Sequence, residues 1–325
     1  MMKIATALLL LATQSTNAFL SPSLTTTTPT RHFSLRAVES SDDANNNNNN
    51  ISRRTLLATS LATSLVVTSL LPPIANAVDD DDAAPSAASA TPTVVVAGAT
   101  GQTGRRILER LAGQPNLSVI AGVRNVEKAE KSLGESSTVV RGAMVQKVPS
   151  LDAAGVELRK IDVSDTAESL ASALSGAQSL VIAVGFVPGN PLKMNKSAHE
   201  VDNVGTCKLI DAAKSAGVTK VVMVSSILTN GRDWGQEKSP GFVVTNAFGG
   251  VLDEKIVAER YLRASGMDWT IVRPGGLKAK PPAGELRISG EDTLNAGEIS
   301  RDLVADVCVA SLTDGKASNK VLEII

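Results

Sequence analysis

Cysteine, histidine and aromatic residues are all scarce in this chain of 325 residues, and each shortage removes a class of function. Two cysteines, Cys207 and Cys308, are too few for a disulfide framework or a thiolate zinc cage. Both lie in stretches that read as helix, where a thiol serves as a small buried hydrophobe. With only His32 and His199, a multi-histidine metal centre is excluded too, and no metal site is expected. Aromatics at 2% cannot furnish base-stacking platforms or aromatic sugar clefts. An excess of positive charge is also missing: 32 Lys+Arg stand against 33 Asp+Glu, which argues against an electrostatic nucleic-acid binder, and no nucleic-acid partner is expected. Apolar residues are plentiful at 43%, enough to pack one or two domains.

Residues 1–92 read as address and linker. A lysine-led start, the apolar run Ile4–Ala12 and small residues before Phe19 fit a secretory signal over 1–18. Residues 19–51 are rich in Ser and Thr and contain Asn45–Asn50, too polar to offset their own ordering entropy. Residues 52–77 hold Arg53-Arg54, an apolar stretch Thr55–Leu71, Pro72-Pro73 and Ala75-Asn76-Ala77, the layout of a twin-arginine signal. A retained membrane anchor is the other reading of that stretch, which lies at the short end for a spanning helix. Residues 78–92 form an acidic and Ala/Ser/Pro-rich tether. The series resembles the tripartite presequences of algae with secondary plastids. That resemblance implies a plastid protein, thylakoid-associated or lumenal, with the stroma as alternative because nucleotide cofactors are supplied there.

The body, residues 93–325, opens with Thr93-Val94-Val95-Val96-Ala97, a β-branched run suited to a strand buried on both faces. It passes into Gly98-Ala99-Thr100-Gly101-Gln102-Thr103-Gly104 and then a helical pattern with Ile107, Leu108 and Leu111 on one side. Strand, glycine turn and helix in succession are the context in which Gly98, Gly101 and Gly104 cradle a diphosphate, with Thr100, Gln102 and Thr103 supplying N–H groups at the helix start. The second strand, Leu117–Val123, ends in Arg124. An arginine there accommodates a 2′-phosphate, whereas a carboxylate would bind a ribose diol, so NADP(H) is favoured over NAD(H).

Further strands are expected at Val156–Val163, Ser179–Gly185, Lys220–Ile227 and Trp269–Arg273, with a last one at Val321–Ile325. Helices are expected near Thr166–Ser175, Ala198–Ala216 and Val251–Ser265, and Ser300 is placed as N-cap of a late helix. The alternation predicts an α/β doubly wound Rossmann fold, a parallel β-sheet flanked by helices on both faces. Ligands bind at strand carboxyl ends, which adds Asp162, Val163, Ala183, Val184, Gly185, Ser225, Arg273, Pro274 and Gly275 to the expected cofactor contacts.

Gly98-x-x-Gly101-x-x-Gly104, Val201-Asp202-Asn203-x-Gly205, Val224-Ser225-Ser226 and Thr270–Gly276 together resemble the atypical, NmrA-like branch of the short-chain dehydrogenase/reductases. Within it, the segments Ser225–Gly231, Asp268–Lys278 and Asp292–Asp302 are similar to plastid NAD(P)-binding proteins of plants and algae. The resemblance implies a Rossmann fold, NADP binding and plastid residence, and it places Lys255 at the family's cofactor-binding and catalytic lysine. The tyrosine that normally stands four residues earlier is replaced by Val251. Tyr261, the only tyrosine, follows Lys255 and reads as core beside Val257.

Two functions remain open. One is a reductase of a flavin, quinone or tetrapyrrole-like acceptor, with Ser225 and Lys255 as candidate catalytic residues and no enzymic acid. The other is a non-catalytic NADP(H)-dependent redox sensor or scaffold for a plastid protein complex. Ser225 has a bland reading as well, satisfying local backbone groups. The mouth is expected from Phe186–Ala198 and Gly231–Gly250, as substrate contact or partner surface, and His199 is expected to be structural or solvent-facing.

Overall fold

The computed structural model describes residues 91–134, 137–141, 144–148, 155–280 and 285–325. The leader segments read in residues 1–90 lie outside them. The chain begins with β1 (Thr93–Ala97), α1 (Gln102–Ala112), β2 (Ser118–Val123) and α2 (Val126–Gly134). An antiparallel hairpin of β3 (Ser137–Arg141) and β4 (Met144–Val148) follows, then β5 (Val156–Lys160), α3 (Ala167–Ala173) and β6 (Ser179–Ile182). Next come α4 (Met194–Ala198), a π-helical stretch His199–Gly205, α5 (Thr206–Ser215), β7 (Lys220–Val224), α6 (Pro240–Asn246) and α7 (Val251–Arg263). The chain closes with β8 (Asp268–Pro274), β9 (Gly276–Lys278), β10 (Ile288–Ser289), β11 (Glu298–Ser300), α8 (Arg301–Thr313) and β12 (Lys320–Ile324).

The main sheet has the order β10-β12-β8-β7-β6-β1-β2-β5, parallel throughout except for β10 at one edge. The β-branched runs explain why. Val94 and Val96 of β1 pack against one helical layer, with Ile107 and Leu111 of α1, Leu133 of α2 and Val304 and Cys308 of α8. Val95 and Ala97 pack against the other, with Leu170 of α3, Leu209 of α5 and Ala258 and Leu262 of α7. A strand apolar on both faces needs cover on both, and three helices on each side supply it.

The doubly wound fold is therefore as the alternation implied, and β12 and the Ser300 cap, whose hydroxyl accepts from Leu303 N, stand where the sequence put them. The local corrections are informative. The expected helix Ala198–Ala216 is broken by the π stretch, and Gly231–Gly250 holds a helix, α6, capped by Ser239. The β3–β4 hairpin was not anticipated. Cys308 is fully buried and Cys207 only partly so. Burial pushes the Cys308 thiol up to about 12, and burial with the charge of Asp211 pushes Cys207 up to about 11, which disfavours the thiolate at both. Among the described residues, no helix is long and apolar enough to cross a membrane.

Candidate nucleotide-binding site

The strand order reverses at β1: the chain first builds outward through β2 and β5, then returns to β6 on the other side. A crevice opens at the carboxyl ends of β1 and β6, where such sheets bind ligands. Gly98 sits there with φ +85°, and a Cβ on it would lie 2.8 Å from the Ala183 carbonyl oxygen, so the turn tolerates no side chain. Gly101 N–H donates to Gly98 O at 2.9 Å, and α1 starts at the next residue. The first helical bond is Arg105 N–H to Gly101 O, at 2.9 Å. No side chain caps this helix and its first turn carries no acid, so N–H groups of Gln102, Thr103 and Gly104 face the crevice mouth as an anion cradle. Gly104 lets α1 approach so closely that a Cβ there would fall 2.2 Å from Gly98 O. The residues present thus fit a dinucleotide diphosphate: a tight turn, a bare helix start and a cradle that side chains would fill.

Arg124 lies exposed just past β2, and among the described residues it makes no ion pair. Asp162, past β5, is half-buried, and its Oδ1 accepts from Ser164 N at 3.0 Å and Ser164 Oγ at 2.8 Å. Burial pushes this carboxyl up, but those bonds and the charges of Arg124 and Lys160 carry it below its ordinary value. Val163 is buried beside Gly205 of the π stretch, where a Cβ would lie 2.8 Å from the valine's own Cβ.

At the exit of β6, Ala183 and Val184 are half-buried and Gly185 is exposed. Beneath them sits an ion pair that sequence reading did not assign. Asp202 Oδ1 lies 2.8 Å from Lys255 Nζ, with side-chain exposures of 1% and 15%. Asp202 Oδ2 accepts from Phe186 N at 3.0 Å. A Cβ on Gly185 would be within 3.5 Å of Asp202 Oδ1 and 3.9 Å of Lys255 Nζ, so the pair lies against the strand exit. The motif Val201-Asp202-Asn203-x-Gly205 was the available signal. One turn before Lys255 stands Val251.

Tyr261 is not core. It is 42% exposed, its hydroxyl donates to Asp211 at 2.7 Å, and Val257 beside it is 43% exposed. Its apolar spacing reflects the outer face of α7, turned away from the sheet. His199 is exposed, with Nδ1 3.0 Å from Glu254 Oε2.

The strand-end residues on the far side need correction. Arg273 is fully buried, and its guanidinium is committed to carboxylates: Glu259 at 2.7 Å, Asp292 at 2.9 Å, Glu291 at 3.1 Å and Glu323 at 3.3 Å. Burial lowers its pKa, but these partners hold it above the ordinary arginine value. A guanidinium so occupied has no donor left for a nucleotide. Ser225 donates to Glu259 Oε1 and shares a 3.3 Å contact with Thr229 Oγ1, so its hydroxyl belongs to the same buried side-chain network and not to the local backbone groups expected of it. Gly275 is required by packing, since a Cβ would lie 2.7 Å from Gly297 O, and Pro274 beside it is buried. All four are buried, and the side chains of Arg273 and Ser225 are committed to the carboxylate network.

The expected mouth segments carry most of the exposed large apolar side chains of the described residues: Val187, Leu192, Val243, Val244 and Phe248. The two segments meet, because Gly249 is pressed against the Met194 backbone, where a Cβ would be 2.6 Å from Met194 O. The exposed apolar side chains thus lie on two segments that touch each other.

Sheet order, bare helix start and glycine cradle define a Rossmann-type nucleotide-binding fold. The chain belongs to the NAD(P)H-binding family, whose profile matches residues 98–315. It is 43% identical over 233 residues to the chloroplastic protein At2g34460 of Arabidopsis thaliana, covering 71% of this chain and 76% of that one. It is 29% identical over 249 residues to sanguinarine reductase of Eschscholzia californica, covering 71% and 88%. Among solved structures, the oxidoreductase YlbE of Lactococcus lactis aligns with TM-score 0.56 at 23% identity, over 71% of this chain and 90% of that one, a likeness of fold.

Proposed function

We propose that this protein is a plastid NADPH-dependent reductase whose acceptor is an apolar conjugated molecule of the flavin, quinone or tetrapyrrole class. When bound, NADPH supplies the hydride. The reading rests chiefly on one observation: Lys255 holds its ammonium at the β6 exit, with Val251 where a tyrosine acid would stand. A lysine in that place serves the nicotinamide-side ribose. An acceptor reduced without an enzymic acid must take its proton from water, or delocalise the charge it gains. The exposed apolar side chains of these two segments favour an acceptor with a hydrophobic body, and kinship to a protein named as a reductase agrees with it.

In this reading the backbone of Gly98, Thr100, Gly101, Gln102, Thr103 and Gly104 holds the diphosphate. Arg124 binds the 2′-phosphate, Asp162 and Val163 flank the adenine, and Ala183, Val184 and Gly185 support the nicotinamide half. Titration of the body, residues 93–325, with NADPH, NADP, NADH and NAD is expected to favour the phosphorylated forms by tenfold or more. Each tenfold corresponds to ~1.4 kcal/mol. Arg124→Asp is expected to erase or reverse that order, because a carboxylate repels the phosphate and accepts from the ribose diol. Equal affinities in the native protein would remove Arg124 from its role. Stopped-flow oxidation of bound NADPH by the three acceptor classes then tests turnover. Tight binding with no turnover on any acceptor would instead make the protein a nucleotide sensor or scaffold read by a plastid protein partner.

The chloroplastic relative agrees with a plastid address. We assign the finer location, thylakoid-associated or lumenal, from the two signals in residues 1–77, with residues 78–92 as linker. Protection of the protein from protease in intact thylakoids is the expected result. Digestion without detergent would exclude the lumen and leave the stroma.

A further inference from the structure

We propose that Asp202 is a positioning residue for the nucleotide, acting by pinning the Lys255 ammonium at the exit of β6. This rests on the reading above that Lys255 contacts the cofactor sugar.

A lysine stem has four rotatable carbons and about 2 kcal/mol of rotamer entropy to lose when its head is fixed. Here the loss is met before any ligand arrives. Asp202 is 1% exposed and directs one oxygen at Lys255 Nζ and the other at Phe186 N–H, so carboxylate, ammonium and strand exit form one rigid unit. The ammonium carries three N–H donors, and Asp202 Oδ1 faces it at 2.8 Å while Gly185 lies against the pair.

The local backbone explains how Asp202 comes to face inward. The π-helical turn His199–Gly205 shifts the helical phase by a residue, which places successive residues against successive residues of α7: Asp202 on Lys255, and Asn203 Nδ2 on Glu254 Oε2 at 2.7 Å. His199 Nδ1 adds a second contact to Glu254. The first turn of α7 is held from its other side by Asn246, whose Oδ1 accepts from Leu252 N and whose Nδ2 donates to Asp253. The clasp on Glu254 and the pin on Lys255 thus fix one helical turn from two directions. The tyrosine that would otherwise share the lysine's charge is absent, and Asp202 is the group that balances it.

A double-mutant cycle on NADPH affinity distinguishes positioning from plain structural support. Asp202→Asn keeps an oxygen for Phe186 N–H and removes the charge that holds Lys255. Wild type, Asp202→Asn, Lys255→Met and the double variant are titrated with NADPH at a temperature where melting curves show each is folded. Asp202→Asn is expected to weaken binding about tenfold, as a rise in KM for NADPH with kcat little changed, and Asp202→Glu to restore part of it. The double variant is expected to bind no more weakly than Lys255→Met. Losses that multiply across the cycle, or an unaltered affinity in Asp202→Asn, would overturn the proposal. So would a wild-type affinity in Lys255→Met, which would in addition remove Lys255 from the cofactor site while leaving NADPH binding itself intact. Should Lys255→Met not fold, Lys255→Gln, which still donates to Asp202, takes its place under the same expectations.

Discussion

Arg273→Met is expected to lower the melting temperature of the body by about 6–20 °C while leaving nucleotide affinity nearly unchanged in the protein that remains folded. The first figure follows from breaking a buried ion pair, about 3–5 kcal/mol, at roughly 2–4 °C per kcal/mol for a domain of this size. Removing the guanidinium leaves Glu259 and Glu323, both fully buried, around an emptied space. Their situations differ. Glu323 keeps the N–H groups of Asp292, Thr293 and Leu294 at 2.7–3.0 Å. Glu259 keeps only the Ser225 hydroxyl and a 3.4 Å contact to Arg263. Most of the cost therefore falls on Glu259, and the double change Arg273→Met with Glu259→Leu is expected to recover part of the lost stability.

The same network gives a pH signature. Burial raises the Glu291 carboxyl, but the bond and charge of Arg263 and the charge of Arg273 draw it below its ordinary 4.5. A depressed carboxylate stabilises the fold fully above its unfolded value and loses that contribution as acid carries the pH below 4.5 and through the folded value. Thermal melts of the native protein are expected to fall in that range, and the fall is expected to shrink in Arg273→Met. A variant melting within 2 °C of wild type, or one that stays stable but loses NADPH, would reverse the assignment of Arg273 to structure.

What the sequence disclosed, and what it hid, follows from the range of the interactions concerned. The nucleotide turn is local: β1, Gly98 and the start of α1 are contiguous, so their pattern is visible in a dozen residues. The position of Arg124 past the end of β2 is local in the same way. Arg273 also stands at a strand end and looked like a cofactor contact for that reason. Its true partners are 14, 18, 19 and 50 residues away, on three other segments, and no periodicity announces them. Asp202 was hidden differently. The run Ala198–Ala216 has helical spacing on either side of the π turn, and a helix drawn at constant pitch misplaces the residues within it by one position. Tyr261 misled because an apolar i,i+4 pair is equally compatible with an outward face.

Gly104→Ala carries the largest effect expected on ligand binding: a loss of NADPH affinity of at least about a hundredfold, equivalent to ~2.7 kcal/mol. The added methyl would meet Gly98 O at 2.2 Å, Gly98 C at 2.9 Å and Ala99 Cα at 3.3 Å, and all three are backbone atoms. A flexible side chain could swing aside, but a backbone turn at φ +85° whose own Cβ position is blocked by Ala183 cannot. The start of α1 must back away from the turn, taking with it the N–H groups that face the crevice. Electrostatic contact with a diphosphate falls steeply once hydrogen-bond distance is lost, so a shift of about 1 Å suffices for a loss of this size. Gly101→Ala separates the two causes. Its Cβ would lie 3.1 Å from Gly98 O, a contact that small adjustments relieve, and its φ of −70° suits any residue. It is expected to melt within a few degrees of wild type yet bind NADPH poorly, because the methyl occupies space into which the diphosphate must come. Gly104→Ala is expected to lose both stability and affinity. Calorimetric titration alongside thermal melts reads the pair, and wild-type NADPH affinity in Gly104→Ala would show that the bare helix start of α1 is not where the diphosphate binds.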